Sequence, residues 1–379
     1  MSTEVLIVGA GPSGLFAAHE LARRGVRVRI VERDPVPHRE ARGTALQPGT
    51  LELLDLAGIV EPFLSAGVHV RNAGVYGPEL ELIAPVSFEV PDCEYPYQCQ
   101  LPQWQTEEIL ASRLVEHGAE VERGVEVLSV DSGTDRVLAR LRRPNGEETT
   151  VEAVYAIGAG GAHSITRHGM DEELEGATYP GRFLVAEIAT ESPLPPEESG
   201  VVASSDGLLL IAPLPDGRFI TFSDLEEEAR EPTAAEVADR LERRLAGRAR
   251  PASVLWCRSF RMHRRMAPRL HDSRRFLIGD AGHLSSPFAG EGLNAGLHDA
   301  FDIGWKLALV LDGRAKPSVL ESYEFERAAA DRHALEVSDL VHTDVVSAVA
   351  AIRARTVLPP GRDPDETARF LAARSMIDL

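Results

Sequence analysis

Two glycine-rich stretches carry residue types suited to holding a phosphorylated heterocycle. The first, GAGPSG at residues 9 to 14, directly follows the apolar run VLIV and opens a helical pattern. In this G-x-G-x-x-G spacing Gly9 permits a tight turn, Gly11 lets a pyrophosphate approach the backbone, and Gly14 lets helix and strand pack closely. Pro12 and Ser13 complete the loop, and the helix N-terminal amides face the phosphate charge. Glu32 closes the next strand, where a carboxylate accepts from adenosine ribose hydroxyls and disfavours a 2′-phosphate. These residues leave NAD and FAD both open.

The second stretch, GDAGHLSSPFAGEGLNAG at residues 279 to 296, separates the two. NAD alone gives a second distant loop no task. A flavin dinucleotide is longer, and its ribityl chain and tricyclic ring need anchors of their own. Asp280 suits the ribityl hydroxyls. The loop from Pro287 through Gly290 to Gly292 is stripped of bulky side chains except Phe288, and Leu293 is expected to start a helix. Amides at Gly292, Leu293 and Asn294 would then point at the flavin pyrimidine edge, which becomes anionic on reduction. FAD is the expected cofactor.

The elements that must position these loops follow from hydrophobic period and turn chemistry. Val5 to Val8, Leu15 to Leu21 and Val26 to Val31 read as strand, helix and parallel strand. Helices are expected at Leu51 to Leu56 and Ile109 to Leu114, and hairpins around Pro144-Asn145-Gly146 and Pro215-Asp216-Gly217. Thr233 with Glu236 forms a capping box. A buried strand is expected at Phe276 to Ile278, then a mainly helical pattern beyond Gly292 to about residue 355, and a last short helix after Pro359-Pro360-Gly361. The fold class is α/β: a Rossmann-like FAD-binding domain interleaved with a mainly β substrate domain, plus C-terminal helices. The expected division is residues 1–68, 102–179 and 269–312 for FAD, 69–101 and 180–268 for substrate, and 313–379 for the helical segment.

Bulk properties exclude several classes. The 379 residues carry a formal charge of −19, which repels nucleic-acid backbones and anionic lipid, so neither partner is expected. The apolar run before Gly9 is too short for a signal peptide or membrane helix. Three cysteines, Cys93, Cys99 and Cys257, have no metal-ligand spacing, so no metal is expected, and they fit a reducing cytoplasm.

Across roughly residues 3 to 335 the sequence resembles the FAD-dependent aromatic hydroxylases of the para-hydroxybenzoate hydroxylase type, the group A flavoprotein monooxygenases. The resemblance rests on GAGPSG with Glu32, Arg42 in EARGTALQPGTLELLDLAGI, Gln103 in LPQWQTEEIL, and GDAGHLSSPFAGEGLNAGLHDAFDIGWKLA. It is to a form without the C-terminal thioredoxin-like domain of some branches. It implies FAD contacts from Ser13, Glu32, Arg33, Arg42, Gln103, Val127, Asp280 and Gly290 to Asn294, with Arg42 facing the pyrophosphate and Pro287 lining the flavin face. It further implies reduction by NADH or NADPH, a flavin C4a-hydroperoxide formed with O₂, and hydroxylation of a phenolic or polycyclic aromatic substrate. Tyr97, Leu208, Leu210 and Phe222 are candidates for the substrate wall. Tyr95, Tyr97, Tyr179, His263 and His342 are candidates, by type alone, for a base toward a phenol. His283 is assigned a structural role.

One departure bears on chemistry. In AIGAGGAHSITR, residues 156 to 167, Gly160 stands where the family has aspartate. One expectation is slow or substrate-gated reduction by the nicotinamide; the other is a neutral substitution in a tolerant loop. The alternatives are an FAD-dependent reductase or dehydrogenase and a non-catalytic flavin-binding protein. A flavin-dependent halogenase is disfavoured, because no Trp-x-Trp occurs.

Overall fold

The computed structural model describes residues 3–353 apart from 42, 78, 91, 191–198, 205, 226–229 and 248, with backbone alone at 84 and 344–353. The short helix expected after Pro359 lies outside the described residues.

The chain opens with strand β1 (Val5–Val8), helix α1 (Pro12–Ala22) and strand β2 (Val28–Glu32). All four residues of β1 are buried, as a strand covered on both faces requires. β1 is central to a five-stranded parallel sheet, ordered Arg275–Leu277, Tyr155–Gly158, β1, β2, Val121–Arg123. All five strands run the same way, so their C-terminal ends share one edge. The hairpin about Asn145 forms, pairing Val137–Arg142 with Glu148–Ala153, and Glu126–Ser132 extends it to three strands.

A seven-stranded, mostly antiparallel sheet forms the second layer, in the order Ser253–Phe260, Arg182–Ala189, Arg218–Leu225, Gly207–Leu214, Ser199–Ser204, Asn72–Tyr76, Leu82–Ser87. Period-two alternation gives it two apolar faces. Leu209 and Ile211 pack under the helix Ala234–Arg244, through Val237 and Leu241. Leu210, Ala212 and Ile220 point to the other side. That helix carries the expected capping box, with the Thr233 side chain accepting from the Glu236 amide.

A small sheet of Ala45–Leu46, Gln98–Gln100 and Val68–Val70 closes the gap between the layers. The long helix Glu291–Leu311 packs on α1, and Glu321–Arg353 packs across it. The helix expected from Leu293 starts two residues earlier, at Glu291, because Gly290 adopts φ 71° and turns the chain into it. No helix among the described residues is long and apolar enough to cross a membrane.

Candidate active site

The two glycine loops touch. A Cβ on Gly279, which has φ +56°, would lie 2.7 Å from the Ser13 hydroxyl, and one on Gly296 would lie 2.3 Å from it and 3.0 Å from the Gly279 Cα, so a side chain at either position would displace Ser13. Asp299, one helical turn beyond Gly296, accepts from the Gly279 amide at 2.9 Å. Gly9 has φ +108°, and a Cβ there would meet the Ala159 carbonyl oxygen at 2.4 Å. Buried Arg167 donates to the carbonyls of Ala162 and Ala281, at 2.7 and 3.0 Å, tying the loop after Gly160 to the second glycine stretch.

Between these loops runs one elongated cavity of about 820 Å³. Gly9, Gly11, Pro12, Ser13, Glu32, Arg33 and Val127 line it together with Gln103, Gly160 and Asp280, and Gly160 lies directly against Gly9. Pro287, Gly290, Gly292 and Leu293 also line it, as do apolar residues of the seven-stranded sheet, among them Leu210 and Phe222. The α1 N-terminus has no side-chain cap and begins with Pro12, which leaves its first amides for a ligand. Glu32 accepts from the Ala10 amide at 2.9 Å and the Asp34 amide at 3.0 Å, so its carboxylate is held against the loop it serves. The helix Glu291–Leu311 likewise has no side-chain cap. Its first amides, at Glu291, Gly292 and Leu293, are unspent.

Several expected residues lie off the cavity wall. Gly14 sits behind it, where a Cβ would strike the Gly9 carbonyl oxygen at 2.1 Å. Asn294 is buried, and its side chain accepts from the Gln47 amide at 3.0 Å and donates to the Ala45 and Gly290 carbonyls. Leu208 shares the face of Leu210 but lies one pleat beyond the cavity, packed with Phe183, Ala203 and Met262. Tyr97 stacks on His69 at 4.4 Å, outside the wall. Arg42 lies outside the described residues. The remaining candidates for a base also sit elsewhere. Tyr95 packs edge-on to Tyr97, the Tyr179 hydroxyl donates to Asp339, His263 pairs with Thr178, and His342 lies against Ser286.

Two features escaped the sequence reading. Glu291 lines the cavity at 6% exposure, with Oε1 buried and unpartnered. Burial, opposed only by His333, pushes its carboxyl up to about 7. The other is a row of three lining amides, Gln47, Gln98 and Gln100. Gln98 and Gln100 share one face of their strand, while Cys99 between them enters the core.

Behind the second loop lies a buried charge cluster. His283 pairs with Asp299 at 2.8 Å, and Arg327 bridges Asp299 and Asp331 at 2.7 Å each. Burial alone would lower the His283 pKa, but Asp331 and Asp299 outweigh it and raise it to about 9. Donor atoms of His283, Asp299 and Asp331 converge as a metal site would need, yet the Arg327 guanidinium already supplies the positive charge there. The role is structural: the cluster fixes the Gly279 amide and hence the turn bearing Asp280.

The cavity fits a flavin dinucleotide in its donor set, with phosphate-type amides, the carboxylates of Glu32 and Asp280, and an apolar wall from the seven-stranded sheet. Comparison with known proteins agrees. Residues 2–338 match the family described as FAD binding domain. The chain is 35% identical over 330 residues to 6-methylpretetramide 4-monooxygenase of Streptomyces rimosus, covering 86% of this chain and 59% of that protein. It is 30% identical to pentachlorophenol 4-monooxygenase of Sphingobium chlorophenolicum, covering 89% and 64%. Among solved structures, aklavinone-11 hydroxylase in complex with FAD and aklavinone matches with a TM-score of 0.78 at 27% identity, covering 93% of this chain and 69% of that one. The chain thus spans about three-fifths of the length of the first relatives it matches.

Proposed function

This chain belongs to the group A flavoprotein monooxygenases, the FAD-dependent aromatic hydroxylases, and on that premise we propose that it hydroxylates a phenolic or polycyclic aromatic small molecule, using O₂ and a nicotinamide reductant. The observation that carries this reading is the continuity of one cavity from the dinucleotide loop to the apolar face of the seven-stranded sheet. Bound FAD supplies the redox chemistry, accepting electrons from NADH or NADPH and activating O₂.

The chain's own residues do the rest. Gly11, Pro12, Ser13 and the α1 amides would receive the pyrophosphate, Glu32 would accept from the adenosine ribose, and Arg33, Gln103, Val127 and Asp280 would contact the rest of the cofactor. Arg42 is proposed beside the pyrophosphate from the sequence resemblance. Pro287 and the Gly290 turn would hold the flavin ring, and the amides of Gly292 and Leu293 would stabilise negative charge on it. Leu210, Phe222 and Ile220 wall the substrate and exclude water. Glu291, held near neutrality by burial, exchanges a proton with the cavity's contents. In this reading residues 1–68, 102–179 and 269–312 hold FAD, 69–101 and 180–268 hold substrate, and the protein acts in the cytoplasm.

The test is to load the protein with FAD and follow O₂ uptake with NADH or NADPH against a panel of phenols and aromatic polyketides, with products weighed by mass spectrometry. A product heavier by one oxygen atom, dependent on O₂, supports the proposal. Nicotinamide oxidation without such a product from any member would reassign the chain as a reductase.

A further inference from the structure

We propose that Gln47, Gln98 and Gln100 form an amide relay of fixed polarity, and that its free end, the Gln100 carbonyl oxygen, selects substrates bearing an un-ionised hydroxyl. The inference rests on reading the cavity as an aromatic-substrate site. It deepens that reading by naming the substituent recognised.

The polarity follows from one carbonyl. The Ala289 backbone oxygen only accepts, and the Gln47 side chain lies 3.1 Å from it, so the Gln47 NH₂ must face that carbonyl. Gln47 Oε1 is then the atom facing Gln98, which donates to it from Nε2 at 3.0 Å. Gln98 Oε1 in turn accepts from Gln100 Nε2 at 3.2 Å. Flipping any one amide would set NH₂ against NH₂ or oxygen against oxygen, so the three orientations are locked together. The Gln47 position is itself fixed, since its backbone amide donates to Asn294 Oδ1 at 3.0 Å.

The chain of donors ends at Gln100 Oε1, which is buried without a partner in a residue of 2% exposure that lines the cavity. A buried carbonyl oxygen lacking a donor costs stability until one arrives; a ligand hydroxyl that seats against Gln100 would supply it, in place of an ordered water. The end presented is an acceptor and nothing else. It suits a phenol or alcohol O–H, gives nothing to a methyl ether, and repels a phenolate or carboxylate. Being neutral, Gln100 does not take the proton, so this hydroxyl is a handle for orientation. The relay also ties the handle to Ala289, in the loop that carries Pro287 and Gly290.

The test uses FAD-loaded protein and isothermal titration with 2-naphthol and 2-methoxynaphthalene, so that binding is read without turnover. Wild type is expected to prefer 2-naphthol by about tenfold or more. Gln100→Leu should bring the two affinities to within about threefold of each other, and the wild-type to variant comparison cancels the steric share of the methyl group. Gln100→Met serves the same purpose should the leucine variant not retain FAD. Gln47→Leu, which releases the lock without touching the acceptor, should also lower the ratio. An undiminished ratio in the Gln100 variants overturns the proposal, and an undiminished ratio in Gln47→Leu overturns the relay. Equal wild-type affinity for both ligands refutes the selection and leaves the aromatic site standing. Binding of neither ligand to wild type refutes that site and the proposal with it.

Discussion

Glu291→Gln should make the cofactor-free protein more stable at alkaline pH, by an amount that the carboxyl's surroundings set. Burial raises Glu291 from 4.5 to about 7, so the folded state binds its proton more tightly than the unfolded chain does. For a carboxyl raised on folding, the favourable share is fully present below the unfolded pKa and is lost as pH climbs through the folded one. Every tenfold gain in proton affinity on folding is worth about 1.4 kcal/mol, so the charged carboxylate costs about 3 kcal/mol once titration is complete. About 2 kcal/mol of that accumulates between roughly pH 5.5 and pH 8.5. Glutamine keeps the shape and the unpartnered oxygen but has no proton to lose. Urea unfolding of both proteins across that range isolates the residue, because His283 and Asp331 titrate in both and cancel. The variant should gain on wild type by about 2 kcal/mol over the interval. Parallel stability curves would mean that the carboxyl is solvated, and Glu291 would lose its place as the proton-exchanging group.

Three further perturbations test other parts of the site. Asp280→Ala should weaken FAD binding at least about tenfold, measured by equilibrium dialysis and the flavin spectrum; unchanged affinity removes Asp280 from the cofactor path. Gly160→Asp should fold normally, since a Cβ there meets nothing nearer than Ser164 Cα at 3.6 Å. If the missing carboxylate is what slows reduction, stopped-flow bleaching of the flavin by NADPH should accelerate in this variant, and an unaltered rate separates Gly160 from reduction. Asp299→Asn strips the charge that pairs with both His283 and Arg327, and loss of a partner from a buried pair costs about 3–5 kcal/mol. Thermal unfolding should register that loss together with weakened FAD binding, because the Gly279 amide is held by the same carboxylate.

The fold was legible wherever local chemistry decides it. The strand–glycine–helix opening, both hairpins and the capping box each depend on neighbours in sequence, and all of them form. What a residue meets across the cavity was not legible. Leu208 and Leu210 are the same residue type on the same face, and only the reach of the cavity along the strand separates them. Gln98 and Gln100 were readable as a same-face pair, but their partners at Gln47 and Ala289 are distant in sequence. Glu291 was hidden for a different reason. A glutamate in the first turn of a helix is ordinarily stabilised as an anion by the helix dipole. Here desolvation outweighs that effect and reverses the shift, and burial is a property of the assembled cavity.

The direct contact between the two glycine loops explains why they must be glycine-rich at positions no ligand touches. A dinucleotide gripped at both ends needs its grips at a fixed separation, and a flexible gap would cost binding energy in ordering the loops. Ser13 seated against Gly279 and Gly296 limits that freedom, because a methyl added at either position would unseat the Ser13 hydroxyl. Asp299 then holds Gly279 from behind, anchored in its turn by Arg327 on the last long helix. The separation is therefore set by helix Glu291–Leu311 docking on α1 and by helix Glu321–Arg353 docking across it. Cofactor affinity in this chain is a readout of helix packing as much as of the groups that meet the cofactor.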